Sequence, residues 1–194
     1  LTSLRLVANP DSFSIENAKR ALMSASLYGI NVDLAVVNKI IPPSALGKNS
    51  SEYFTKLTEF QQTKLDEARA NFYPLPIKEV PLLSGELAGV EMLKSNAHLM
   101  FRDDEDPADI YYQGKPFTIV QQDSNRLQFA VKVPFTTEND LDITRFGSEV
   151  IIKIKSTTGY LVNVIPLPMI TYNMEMLEAN VNNNVLNIIF EKKF

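Results

Sequence analysis

At Arg102-Asp103-Asp104-Glu105-Asp106-Pro107, five consecutive charges and a proline interrupt the chain, and the spacing of apolar residues differs on the two sides. Before that run, short β-branched stretches alternate with segments whose apolar residues recur every three or four positions, the pattern of strands laid between helices. After it the period falls to two, the pattern of strands with one buried face. A chain that changes period once, across a charged and proline-containing run, is expected to fold as two units of different class. The boundary is expected near 103–109, with an α/β unit over residues 1–103 and an all-β unit over 110–194. A length of 194 residues with 45% hydrophobic content suffices for two small cores.

In the first unit, Leu4, Leu6, Val7 and Ala8 form an apolar run ending at Asn9-Pro10, as an interior strand of a parallel sheet does. Asp11 or Ser12 caps a helix expected over 14–28, whose Ile15, Ala18, Ala21, Leu22 and Ala25 share one face and whose left-handed stop is Gly29. A second buried strand over 32–37 meets Asn38 at its carboxyl end. Residues 41–50 read as a loop, after which Ser50 or Ser51 caps a helix to about Phe72. A third strand is expected over 77–83, and a last helix from Gly85-Glu86 to about Met100. The order is β-α-β-α-β-α, opening with a right-handed βαβ unit. Because the chain enters strand-like sequence directly at Leu1, without an initiator Met, it is expected to be a piece of a longer protein.

Past the boundary, strands are expected over 118–120, 127–133, 141–144, 150–155, 160–165, 177–182 and 185–190, an antiparallel sandwich of about 85 residues. Its last hairpin turns through Asn182-Asn183-Asn184, residues that tolerate left-handed backbone.

Composition narrows the chemistry. Without cysteine there is no disulfide and no thiolate metal site, which suits a reducing compartment. His98, the sole histidine, has no second His to complete a metal site or a triad, and reads as a packing or surface residue. A net charge of -4 offers no broad basic face for phosphate backbones, so nucleic acid is not an expected partner. No apolar run approaches the roughly 18–20 residues of a spanning helix. Asp103, Asp104, Glu105 and Asp106 read as a solvated linker rather than a cation site. Met92, Leu93, Met100 and Phe101 read as core, or otherwise as an adaptable apolar surface.

A ligand of an open parallel sheet lies beyond the carboxyl ends of its strands. Asn38 stands at such an end, and its amide can donate to one atom of a base edge and accept from another. Phosphoryl transfer further needs backbone amides and a Lys around the phosphates, with Mg²⁺ held by a hydroxyl and a carboxylate. The only sequence near that pattern is Gly47-Lys48-Asn49-Ser50, but Pro42 occupies the upstream glycine position and no Ser or Thr follows the Lys, so it reads as a plain loop.

Three segments carry a resemblance in order and at similar spacing: Pro10-Asp11-Ser12-Phe13-Ser14-Ile15-Glu16 with Arg20, then Val36-Val37-Asn38, then Val80-Pro81-Leu82-Leu83-Ser84-Gly85-Glu86-Leu87-Ala88-Gly89. Together they resemble the carboxyl-terminal half of the anion-transporting ATPases, a family that includes arsenite-pump ATPases and ATPases that target tail-anchored proteins. The resemblance implies the carboxyl-terminal part of a P-loop-type parallel-sheet NTPase domain. It implies that ATP is held with Mg²⁺ in the missing amino-terminal half, that Asn38 reads the base, and that Asp11 sits at the nucleoside where relatives usually carry Glu. Pro81, Leu82, Leu83, Ser84, Gly85, Glu86, Leu87 and Ala88 would then form an adenine-flanking loop. It further implies a homodimer, though not one joined by zinc since the Cys-x-x-Cys pair is lacking, and a hydrophobic client or membrane-targeting partner. The expected location is the cytoplasm, or the plastid stroma.

The second unit is similar to the α-crystallin, small heat-shock-protein sandwich. The resemblance rests on 127–133 leading to Pro134, Asp140-Leu141-Asp142-Ile143 before Glu149-Val150-Ile151-Ile152, Val164-Ile165-Pro166-Leu167-Pro168, and Glu178-Ala179 before Asn184-Val185-Leu186-Asn187-Ile188. Asn184 departs from it, standing where that family favours Gly. Two other functions remain open at this point: a non-catalytic interaction or chaperone-like module, and a family member that binds nucleotide without hydrolysing it.

Overall fold

The computed structural model describes residues 2–45 and 51–192. Gly47-Lys48-Asn49-Ser50 lies outside them. The chain divides into two compact units, Leu1–Ala21 with Val32–Gly114 and Leu22–Asn31 with Lys115–Phe194.

The first unit holds a parallel sheet of β1 (Leu4–Ala8), β2 (Val32–Ile40) and β3 (Ile77–Pro81), in the order β1-β2-β3. Side-chain composition decides the centre: Val32 to Val37 of β2 are all buried, as a strand covered on both faces must be. Leu6 registers with Ala35 and Val7 with Val36, while Ala35 registers with Ile77 and Val37 with Glu79. Three helices alternate with these strands: α1 (Ser12–Leu27), α2 (Glu52–Phe72) and α3 (Val90–Met100). Leu34, Val36 and Val80 form a core with Met100, Phe101 and Tyr111.

Local signals account for the helix ends. The Ser14 amide donates to Asp11 Oδ1 at 2.8 Å, a side-chain cap for α1. At its other end Gly29 is left-handed (φ 74°), with Ile30 N–H donating to Ala25 O and Gly29 N–H to Ser26 O, the paired bonds that satisfy a helix's last carbonyls. Ser51 takes the position before α2 with extended backbone, but its side chain makes no capping bond.

Two expectations for this unit are corrected. The last helix begins at Val90 rather than at 85, because residues 82–88 run as a loop and Gly89, with φ 80°, is the turn that starts the helix. The acidic run is exposed at Asp103, Asp104 and Asp106, as expected, but Glu105 is half-buried and the segment is tied to the sheet rather than free as a linker. Arg5 Nη1 donates to Pro107 O and Nη2 to Asp109 O, both at 2.7 Å. The Tyr111 amide donates to Asp33 Oδ2 at 3.2 Å, and Glu105 pairs with Lys78. Backbone carbonyls and one carboxylate of 105–111 therefore close a strap over the amino ends of the strands.

The second unit is a sandwich of two antiparallel sheets. One has the order β4 (Phe117–Gln121), β5 (Arg126–Lys132), β10 (Val185–Lys192), β9 (Met174–Asn182), and the other has β6 (Leu141–Phe146), β7 (Glu149–Ser156), β8 (Gly159–Pro166). Alternation supplies its core: Leu127, Phe129 and Val131, Val150, Ile152 and Ile154, and Leu186, Ile188 and Phe190 all point inward. The β9–β10 hairpin turns through Asn183 (φ 50°) and Asn184 (φ 61°), the two left-handed residues of a tight hairpin turn. Met23 and Leu27 complete this core, Asn163 Nδ2 donates to Leu27 O at 2.7 Å, and the Tyr28 hydroxyl donates to Val162 O at 2.9 Å. The end of α1 thus belongs with the sandwich, an assignment that helical periodicity alone has no means of showing.

Candidate functional site

The carboxyl ends of β1, β2 and β3 open into a cleft of about 370 Å³, bounded across its mouth by the 82–88 loop and α3. That volume lies at the small end of the roughly 300–1,000 Å³ typical of ligand pockets. Its walls are mostly apolar: Val7, Val36 and Val80 on the sheet, Pro81, Leu82, Leu83 and Leu87 on the loop, and Met100 on α3. The lining side chains that carry polar atoms are Asn38, Lys39 and Asn96.

The strand geometry at Asn38 follows from a local break in register. Pairing between β2 and β3 shifts between Val37 and Ile40, and Lys39 within that break is left-handed (φ 61°). The Lys39 amide donates to Asn38 Oδ1 at 2.9 Å. Leu82 N–H donates to Ile40 O at 2.7 Å, tying the loop to the end of β2, while Gln61 Oε1 of α2 accepts from Ile41 N–H at 3.0 Å. With Oδ1 so engaged, the remaining polar group of the Asn38 side chain is its Nδ2 amine.

Of the residues expected at a ligand, Asn38, Pro81, Leu82, Leu83, Gly85 and Leu87 come together in this cleft. Ser84, Glu86 and Ala88 are exposed and do not line it. Asp11 does not line it either; its carboxylate caps α1, within a turn also closed by Asn9 N–H donating to Ser14 Oγ at 2.9 Å. Sequence reading passed over Lys39 and Asn96 as lining residues. The signal for Lys39 was its place directly after the strand-end Asn38; Asn96 lies one helical turn before Met100, so the two share a face of α3.

No lining residue carries a carboxylate or a hydroxyl, so the cleft's own donors do not suit Mg²⁺, which takes oxygen ligands. They do suit a flat, largely apolar group with a few polar atoms at its edge. Among the described residues no cluster of three or more His, Asp or Glu side chains gathers as a metal site, and no helix is long and apolar enough to cross a membrane.

Comparison with known proteins gives two family matches. The profile for the anion-transporting ATPases matches residues 1–102, and that for the HSP20-like domain found in ArsA matches residues 124–190. Putative arsenical pump-driving ATPase 1 of Aquifex aeolicus is 28% identical over 188 residues, covering 97% of this chain and 46% of that protein. The putative arsenical pump-driving ATPases of Prosthecochloris vibrioformis and Chlorobaculum tepidum are each 30% identical over 190 residues, covering 98% of this chain and 44% of theirs. The chain thus spans under half the length of these relatives. Among solved structures, the small heat shock protein AgsA of Salmonella typhimurium is 18% identical, covers 40% of this chain and 86% of its own, and superposes with a TM-score of 0.33.

Proposed function

Since the chain belongs to the anion-transporting ATPase family, we propose that its cleft holds the nucleoside of ATP, as one part of a P-loop-type site completed elsewhere in a longer protein. The observation that carries this reading is Asn38: a half-buried amide lining an apolar cleft at the carboxyl end of the central strand, with its oxygen held by the Lys39 amide. Apolar walls accept the faces of a base, and Pro81, Leu82, Leu83 and Leu87 supply them from one side. Asn38 Nδ2 donates to a ring nitrogen. Asp11 acts at one remove, fixing the turn at the end of β1 beside the cleft. Ser84, Glu86 and Ala88 shape the loop without meeting the base.

Mg²⁺ and the phosphates fall to the part of the relatives that this chain does not span, where phosphoryl transfer would be carried out. On this reading the chain binds and orients, and hydrolysis belongs to the whole protein. The family reading also assigns that whole a homodimeric state, a cytoplasmic location and a hydrophobic client or membrane-targeting partner.

The test is ATP affinity of the full-length protein. Asn38→Ala is expected to weaken ATP about tenfold, the equivalent of one well-made hydrogen bond, while leaving competition by inorganic tripolyphosphate unchanged. Unchanged ATP affinity would remove Asn38 from the base site.

A further inference from the structure

We infer that the outer face of the β6-β7-β8 sheet docks a second copy of this chain, the two sheets lying face to face with their strands antiparallel. The two outer faces of the sandwich differ. On the β4-β5-β10-β9 sheet the outward side chains include Gln128, Lys132, Asn180 and Asn187, and Gln128 Nε2 donates to Asn187 Oδ1 at 2.7 Å, as befits a face turned to water. On the other sheet, β8 is apolar on both sides. Leu161 and Ile165 pack against the core, while Tyr160, Val162 and Val164 alternate with them and stand 69%, 41% and 47% exposed. A strand apolar on both sides is one covered on both. Ile151 of β7 registers with Val164 and widens the stripe.

Charge selects the occupant. The outward residues of β7 run Glu149, Ile151, Lys153, Lys155, with an acid at one end and cations at the other. Lys153 is answered by Asp142 at 3.6 Å, whereas Glu149 and Lys155 make no ion pair among the described residues. A two-fold axis running across the strands makes such a face meet itself end for end. Glu149 then lies against the partner's Lys155, twice over, and Val164 against the partner's Val162. A two-fold axis along the strands would instead set Glu149 on Glu149 and Lys155 on Lys155, so like charges reject it. The face complements itself in one orientation only. Four rows about 6.8 Å apart on three strands about 4.8 Å apart span roughly 14 by 27 Å, less than the roughly 800 Å² per partner of a standard interface. The pairing is therefore weak and concentration-dependent, and adds to any assembly made by other parts of the full-length protein.

The test is sedimentation equilibrium of the full-length protein over roughly 1 to 500 µM, the range in which weak pairing shows. The wild-type protein should associate further as concentration rises. Val164→Lys, which places an unpaired cation in the stripe, should raise the dissociation constant by about a hundredfold or more. Val164→Thr keeps the branched shape that suits a strand and should weaken association about tenfold, so a graded loss follows the apolar contact rather than unfolding. Glu149→Lys sets cation against cation and should weaken it about fivefold. Adding Lys155→Glu restores opposite charges and should bring the constant back to within about twofold of wild type.

A mass that neither rises with concentration nor falls in Val164→Lys overturns the assignment, and so does a loss in Glu149→Lys that Lys155→Glu fails to recover. If another stretch of the full-length protein covers the face, Val164→Lys lowers the melting temperature and leaves the mass unchanged, which overturns it as well.

Discussion

The second residue of each strand in the parallel sheet is charged, Arg5 in β1, Asp33 in β2 and Lys78 in β3, whereas the opposite ends of the same strands present Val7, Asn38, Val80 and Pro81 to an open cleft. At the amino ends every charge is answered. Asp33 is fully buried and accepts from Arg5 Nε and Nη2, at 3.4 and 3.3 Å, and from the Tyr111 amide. Arg5 also holds two carbonyls of the strap and lies over the Tyr111 ring, while Lys78 lies over Phe101 and Tyr111 and pairs with Glu105. At the carboxyl ends the polar side chains that line the cleft are sparse: Asn38, Lys39 and Asn96. The lesson is that charge alone does not mark a functional end. Charges that answer one another lock a fold; sparse polar side chains lining a cavity are available to a ligand.

The largest expected effect attacks the locked end. Asp33→Ala leaves the Arg5 guanidinium and the Tyr111 amide without their buried acceptor, and breaking a buried pair costs about 3 kcal/mol or more. Arg5 keeps 30% of its side chain exposed, so the lower part of that range applies. Urea unfolding of the full chain measures it, with Asp33→Asn losing less because it keeps an acceptor for Tyr111. At the open end, Asn38→Ala should change stability by less than about 1 kcal/mol. Equal losses at the two ends would erase the distinction drawn between them.

A smaller effect is expected from pH. The Lys78 hydrogen bond, followed by that of the Arg102 amide, holds the Glu105 carboxyl below the usual glutamate range. A carboxyl more acidic when folded than unfolded adds stability that is complete above its unfolded pKa, roughly 4.3, and is lost as the pH falls through its folded value. The acid limb of an unfolding profile between pH 7 and 3 should therefore be steeper for the wild-type protein than for Glu105→Gln. Matching profiles would show that the strap adds no pH-dependent stability at the amino end.

The sequence showed these two ends unequally. The three strands, the stop at Gly29 and the left-handed Asn183-Asn184 turn were legible because each depends on neighbours within a few residues. The cleft was half legible: strand ends point to it, and Asn38, Pro81 and Leu82 lie there, but the loop's length was not visible because Gly85-Glu86 reads as a helix start as readily as Gly89-Val90 does. Asn96 gave only its place one helical turn before Met100, and a single polar residue on a helix is ordinary. The lock was illegible for a different reason. Arg5 and Asp33 are 28 positions apart and Arg5 and Asp109 are 104 apart, distances over which local patterns carry nothing. Yet a charge at the second position of three successive apolar strands is a readable anomaly, since each must be buried or paired.

The finest distinction between the ends lies in the backbone. Lys39 holds a left-handed conformation at φ 61°, within the break of register that sets Asn38 against the cleft. For a residue with a side chain that conformation costs roughly 1 kcal/mol, and glycine adopts it freely. Glycine also loses more chain entropy on folding, which offsets part of the gain. Lys39→Gly should therefore stabilise by no more than about 0.5 kcal/mol, and it keeps the amide that donates to Asn38 Oδ1. Lys39→Val, β-branched and ill-suited to positive φ, should destabilise by about 1–2 kcal/mol. The opposite signs, read by urea unfolding, would show strain held at the cleft where the amino end holds none. If Val were tolerated as well as Gly, the backbone at Lys39 would be relaxed, and the offered face of Asn38 would have to be set by Gln61 and the loop instead.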